Sequence, residues 1–203
     1  MTAGRFVVLE GGDGSGKSTQ VARLARFLGD RGHTVCVTFE PGATALGGVL
    51  REVLLHGRDP IAPRAEALLM AADRAQHVAE VVAPALARGE WVVSDRFLPS
   101  SLVYQGVVRG LGVDAVRAAN DGAVAGVQPD LVVVLDVSEA QARARRDGAP
   151  DRLEAEAGSF HADVAVAYRD LAASEGWVVV DGTGTPDEVA ARVEAVVIAH
   201  LAP

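Results

Sequence analysis

The chain has 203 residues, a hydrophobic fraction of 49% and a formal net charge of −8, enough for one domain with a substantial buried core and too acidic for a broad nucleic-acid surface. No apolar run approaches the ~20 residues needed to cross a bilayer, and the segment Met1 to Gly4 carries no basic-then-apolar leader, so a cytoplasmic location is expected. The single cysteine, Cys36, excludes an intramolecular disulfide, and the five histidines show no zinc-ligand spacing.

Along the chain, short β-branched runs alternate with longer stretches of helical period. The first strand is expected at Phe6-Val7-Val8-Leu9, followed by a glycine-rich segment and a helix over Thr19 to Leu28. A second strand covers Val35 to Phe39, with Cys36 expected as a small buried residue, and a helix follows over Leu46 to Leu55. Pro63 suits the first turn of a long helix running to Leu86, which Pro84 is expected to end or kink. Further strands fall at Trp91-Val92-Val93, Leu131 to Leu135 and Trp177 to Val180. Between the last two, residues 143–154 hold Gly148 and Pro150 between helix-like flanks and are expected to form a small mobile excursion. This alternation predicts a parallel sheet with helices on both faces, a single domain over 1–203, and ligands collected outside the carboxyl ends of the strands.

The chemistry begins at residues 11–18, where Gly11, Gly12, Asp13, Gly14, Ser15, Gly16, Lys17 and Ser18 satisfy G-x-x-x-x-G-K-[ST] between a strand and a helix. Glycines allow successive backbone N–H groups to turn inward around phosphate oxygens, the helix N-terminus adds partial positive charge, and Lys17 supplies a point charge to the β- and γ-phosphates. Ser18, with Thr19 behind it, is placed to ligate Mg²⁺. Such a phosphate-binding loop serves kinases, GTPase switches and ATPase motors alike. Asp95-Arg96, at the end of the third strand, offers a carboxylate for the metal and a guanidinium for a second phosphate; alone, the dipeptide could equally be a surface ion pair.

Six features fall in one order: the loop with Asp13; Glu40-Pro41-Gly42 followed by Arg51; Leu68 to His77; Asp95-Arg96; Ser100-Ser101 with Tyr104-Gln105; and Asp151-Arg152-Leu153-Glu154. Together they resemble the thymidylate kinase family of nucleoside monophosphate kinases over nearly the whole chain. The resemblance implies that Arg51 and Arg96 clamp the acceptor 5′-phosphate, consistent with the bidentate preference of guanidinium, although Arg51 on its own would pass for a solvated helix charge. Arg74 resembles the reader of a thymine carbonyl. Met70 stands where the family usually stacks a phenylalanine on the base, and Phe39 where many bacterial relatives carry arginine. Ser101, Tyr104 and Gln105 resemble the segment at the base edge and sugar, Tyr104 being the position associated with disfavouring a 2′-hydroxyl. Taken without the resemblance, Met70 and Tyr104 also fit the core. Asp13 resembles the family carboxylate near the acceptor's sugar or the metal, Glu40 supports the same region with Pro41 beside it, and Gly182 resembles a neighbour of the adenine.

Gly14 leaves the loop without an arginine, so the resemblance points to a lid, residues 143–154, whose Arg143, Arg145, Arg146 and Arg152 supply the cations; a solvated helix end is the competing account. The resulting expectation is an α/β, three-layer P-loop NTPase fold with a five-stranded parallel sheet. Its acceptor region spans about 40–110; Lys17, Arg96, Asp13, Arg145, Arg146 and Arg152 are catalytic, and Arg143 contacts the ATP. Ser18 and Asp95 hold Mg²⁺, and the enzyme transfers the γ-phosphoryl of ATP to dTMP. The alternatives are another nucleoside monophosphate or deoxynucleoside kinase, or a P-loop nucleotide switch. The resemblance also implies a homodimer, with no nucleic-acid or membrane partner.

Overall fold

A computed structural model describes residues 4–57, 59–145, 152–153, 155–156 and 159–202 of the chain. The strands are β1 (Arg5–Glu10), β2 (Val35–Phe39), β3 (Trp91–Asp95), β4 (Leu131–Asp136) and β5 (Val178–Asp181). They pair parallel throughout in the order β2-β3-β1-β4-β5. The chain leaves the central β1 for the edge strand β2, returns to β3, then crosses β1 to β4 and β5. The reversal of direction at β1 opens a crevice at its carboxyl end, where ligands collect in open α/β sheets.

The period of two along β1 explains the layers. Phe6 and Val8 face one core, together with Val92, Val132 and Val134, while Val7 and Leu9 face the other, with Val93, Val133 and Leu135. Helices α1 (Lys17–Gly29) and α9 (Pro186–Leu201) cover the second face. On the first face lie α3 (Pro63–His77), α6 (Val113–Val124) and α8 (Phe160–Glu175), and Val78 just after α3, Val116 and Val124 of α6, and Val164 and Tyr168 of α8 fill the core. α9 opens with Thr185 and Glu188 in a reciprocal capping box, which satisfies two orphan N–H groups.

The remaining α-helices among the described residues are α2 (Ala45–Arg51), α4 (Ala83–Ala87), α5 (Leu98–Ser101) and α7 (Glu139–Arg145), and π-helical segments follow α2 over Glu52–His56 and α5 over Leu102–Val108. The long helix expected from Pro63 is continuous but not uniform, because a π-helical segment, Val78–Val82, separates α3 from α4. Pro84 has no N–H for the helical ladder, and the wider turn just before it absorbs that loss. Cys36 is half-buried rather than enclosed, against the first core.

Candidate active site

A cleft of about 810 Å³ runs along the carboxyl ends of the strands, lined by Asp13 to Thr19 on one side and by Glu40, Arg51, Met70, Arg74, Ser101 and Tyr104 on the other. Its first wall follows from glycine geometry. Gly11, Gly14 and Gly16 sit at φ +136°, +81° and +95°, a region strained for any residue with a Cβ, and the chain thereby turns its N–H groups inward ahead of α1. Lys17 Nζ donates to the carbonyls of Gly11 at 3.1 Å and Gly12 at 2.9 Å. Burial, followed by the charge on Arg96, pushes the pKa of this ammonium down. Ser18 Oγ donates to Asp95 Oδ2 at 2.6 Å, which brings together the two residues expected to hold a metal.

Arg96 joins the two walls. Its backbone lies at φ +74°, strained for a residue with a side chain. Nη2 pairs with Asp13, and Nη1 donates to Ser100 Oγ at 2.9 Å, Tyr168 OH at 3.2 Å and the Gly11 carbonyl at 3.2 Å. Tyr104 stacks its ring 5.3 Å from this guanidinium and donates its hydroxyl to Asp13 at 3.3 Å. Burial opposes ionisation of Asp13, but Arg96 and Lys17 outweigh it and hold the carboxyl at about 2. The loop therefore carries an ionised carboxylate beside the cations Arg96 and Lys17.

The acceptor wall is a network of buried side chains. Arg74, only 2% exposed, donates to Glu40 Oε2, Asn120 Oδ1, the Phe97 carbonyl and Ser101 Oγ. Glu40 also meets His77 Nδ1 at 2.8 Å, and the other ring nitrogen lies 2.6 Å from Thr38 Oγ1. Glu40 thus stands behind Arg74 as its counter-charge. Arg51 donates to the Pro41 carbonyl at 2.7 Å, with its guanidinium 5.9 Å from the exposed Phe39 ring. Gln105 is buried and donates to Glu66 Oε1 at 2.9 Å, while Met70 lines the cleft with its body against the first core.

The lid residues separate. Arg145 reaches over the loop, donating through both Nη atoms to the Gly182 carbonyl at 3.1 Å, and it lines the cleft. Arg143 is exposed on α7 and is absent from the cleft lining. Arg152 belongs to the acceptor side: it donates to the Leu54 carbonyl and to Glu66 at 2.7 Å each, so the structure groups it with the fully buried Glu66 rather than with Lys17. Arg146, Asp151 and Glu154 lie outside the described residues. A Cβ on Gly14 would stand 2.2 Å from the Ala142 carbonyl of α7, so at this position the loop lies against that helix and leaves no room for a side chain.

Four buried residues that support these contacts carried no assigned role in the sequence. Glu10 closes β1, Glu66 collects Gln105 and Arg152, Asp73 accepts from Gly42 N at 3.0 Å, and Asn120 orients Arg74. For Glu10, Glu66 and Asp73 the legible signal was a carboxylate ending the apolar run Phe6 to Leu9, or set within a helix on its buried face, since Glu and Asp are almost never fully buried unless paired.

The sequence model of the family described as thymidylate kinase matches residues 9–193. A thymidylate kinase of Leifsonia xyli subsp. xyli (strain CTCB07) is 53% identical, the match covering 94% of this chain and 92% of that protein. One from Synechococcus sp. (strain JA-2-3B'a(2-13)) is 50% identical over 97% of this chain and 95% of its own. One from Bifidobacterium longum (strain DJO10A) is 47% identical over 95% and 97% respectively. With the loop, the strand order and the cleft all in place, these matches identify the chain as a member of the thymidylate kinase family, an ATP-dependent nucleoside monophosphate kinase.

Proposed function

We propose that the chain transfers the γ-phosphoryl of MgATP to the 5′-phosphate of dTMP, giving dTDP and ADP, with Lys17 on the donor phosphates and Arg96 and Arg51 on the acceptor phosphate. The observation that carries this reading is Arg96, paired with Asp13 of the donor loop and seated at the mouth of the acceptor wall. A guanidinium there serves an acceptor that is already phosphorylated better than a neutral nucleoside. An oxygen of the acceptor phosphate attacks the γ-phosphorus in line, the bond to the bridging oxygen breaks, and its electron pair leaves on ADP. The attacking oxygen is already anionic, so positioning and charge stabilisation carry the catalysis and no covalent enzyme intermediate forms.

Ser18 and Asp95 would hold Mg²⁺. A hydroxyl and a carboxylate are hard oxygen donors, and two protein oxygens completed by phosphates and water suit that ion. When bound, it neutralises charge between the β- and γ-phosphates. Arg145, and Arg146 beyond the described residues, are the lid cations of this reading, while Arg152 anchors the acceptor side through Glu66. Arg74 reads the base, Met70 covers it, and Tyr104 crowds the sugar next to Asp13. A homodimer fits the exposed Leu46, Val49, Val53 and Leu68 on and around α2 and α3. No helix among the described residues is long and apolar enough to cross a membrane, and the cytoplasm suits a supplier of deoxynucleotides.

A coupled ADP-release assay with the 5′-monophosphates of thymidine, deoxyuridine, uridine, cytidine and guanosine, alongside free thymidine, tests the proposal. Preference for dTMP is expected. Equal turnover of free thymidine would refute the phosphate clamp, and turnover without any acceptor would favour a nucleotide switch.

A further inference from the structure

We infer that Glu10 is a positioning residue for the acceptor phosphate: through the hydroxyls of Ser100 and Tyr168 it holds the Arg96 guanidinium in its binding orientation. This rests on the reading of Arg96 as the phosphate clamp.

Glu10 is the last residue of β1 and fully enclosed. Its Oε1 accepts from Phe97 N at 2.9 Å and Ser100 N at 3.2 Å, and its Oε2 from Ser100 Oγ at 2.7 Å and Tyr168 OH at 2.8 Å. These partners come from Phe97 just after β3, from Ser100 on α5 and from Tyr168 on α8, so one carboxylate pins the backbone immediately after Arg96 and two side chains beside it. A hydroxyl has a single hydrogen. Because Ser100 and Tyr168 both direct theirs at Glu10, their lone pairs are left for Arg96 Nη1, which donates to them at 2.9 and 3.2 Å.

An amide in place of the carboxylate reverses this polarity. Its NH₂ would donate to the hydroxyls, whose hydrogens must then turn elsewhere, some toward the guanidinium they now accept from. The hydroxyl relay also has an advantage over a direct ion pair, since it orients Arg96 without placing a second carboxylate on the guanidinium next to Asp13. Backbone placement adds to the effect, because Arg96 sits at φ +74° and its neighbours must hold it there. Burial raises the pKa of Glu10, while Arg96, Ser100, Tyr168 and the Phe97 N–H oppose that rise.

The test is calorimetric binding of dTMP, free thymidine and ATP to wild type, Glu10→Gln, Ser100→Ala and Arg96→Ala, with thermal unfolding on the same preparations. Glu10→Gln and Ser100→Ala should each weaken dTMP about 10-fold, as for a disturbed hydrogen bond to a charged group. Thymidine, which lacks the phosphate, should bind as in wild type, and so should ATP. A merely structural role would instead weaken dTMP and thymidine together, and that result overturns the inference. So does unchanged dTMP affinity in both variants. If Glu10→Gln does not fold, Ser100→Ala, which keeps the buried carboxylate, decides alone. Arg96→Ala separates the two levels. If it retains the advantage of dTMP over thymidine, the clamp reading falls; if it loses that advantage while Glu10→Gln and Ser100→Ala keep it, only the positioning role falls.

Discussion

The two walls of the cleft are built from different materials, and on the proposed reading they meet phosphate and base respectively. The donor wall is backbone: glycines at positive φ, carbonyls held by Lys17, and a helix N-terminus, all within a short stretch of chain. The acceptor wall is side chains, drawn from β2, α3, α5, α6 and the segments between them, with Arg74, Glu40, His77 and Asn120 buried in one hydrogen-bonded group. A backbone site tolerates loss of a side chain without unfolding, whereas a buried charge network is also part of the core. Mutations in the donor wall should therefore change turnover, and mutations in the acceptor wall should change stability as well.

The sharpest test is Lys17→Ala, which should lower turnover by about 10³-fold, as for removal of a key charge-stabilising donor, with little change in the unfolding midpoint. Wild-type turnover would sink the loop assignment, and a large loss of stability would break the contrast between the walls. Glu40→Ala should show the opposite signature. It leaves Arg74 and His77 without their carboxylate, and breaking such a buried pair costs about 3 kcal/mol; denaturant unfolding that matches wild type would refute this. Arg145→Ala comes next, with turnover expected to fall by about 10²-fold and ATP affinity little changed. Near-normal steady-state turnover would make Arg145 a solvated helix end that only tethers the Gly182 carbonyl.

Asp73 gives a pH test confined to the acceptor wall. Burial, reinforced by the Glu40 charge, raises its pKa from 3.8 to about 6. Between those values the folded state binds more protons than the unfolded one, so this group's contribution to stability is present at low pH and is lost as pH rises through about 6. Stability contributed by this group should fall by about 1 kcal/mol from pH 5 to pH 8, and Asp73→Asn should remove that increment from the wild-type profile. Identical pH profiles for the two proteins would show that Asp73 does not titrate in this window. The smallest effect is expected for Met70→Phe, which should tighten dTMP binding by up to ~1 kcal/mol if the side chain covers the base. Unchanged calorimetric affinity would leave Met70 to the core.

The same contrast explains what could be seen in the chain before its structure. The donor loop is contiguous, and glycine spacing is dictated by φ angles, so residues 11–18 were legible from local pattern alone. The five strands were equally plain, because a sheet covered on both faces requires nearly continuous apolar runs. The partners of Glu10, Glu66 and Asn120 were not legible. Glu10 and Glu66 meet their partners, and Asn120 meets Arg74, across 30 or more positions of sequence, and no local spacing encodes such a meeting. Arg152 is such a case: expected with the lid arginines, it donates to Glu66, a contact across 86 positions of sequence. The π-helical segment before Pro84 was hidden for a different reason, since proline announces a disturbance in the ladder but not how the chain accommodates it.

The contact between Gly14 and α7 limits how this enzyme could change over time. With the Ala142 carbonyl 2.2 Å from where a Cβ would lie, an arginine entering the loop at that position would first unseat the helix that carries Arg145. A charge can therefore move from lid to loop only through an intermediate that has lost the old arrangement before gaining the new one. Drift by single substitutions should accordingly leave position 14 a glycine for as long as α7 rests on the loop, and any lineage that escapes should show compensating changes in residues 139–145.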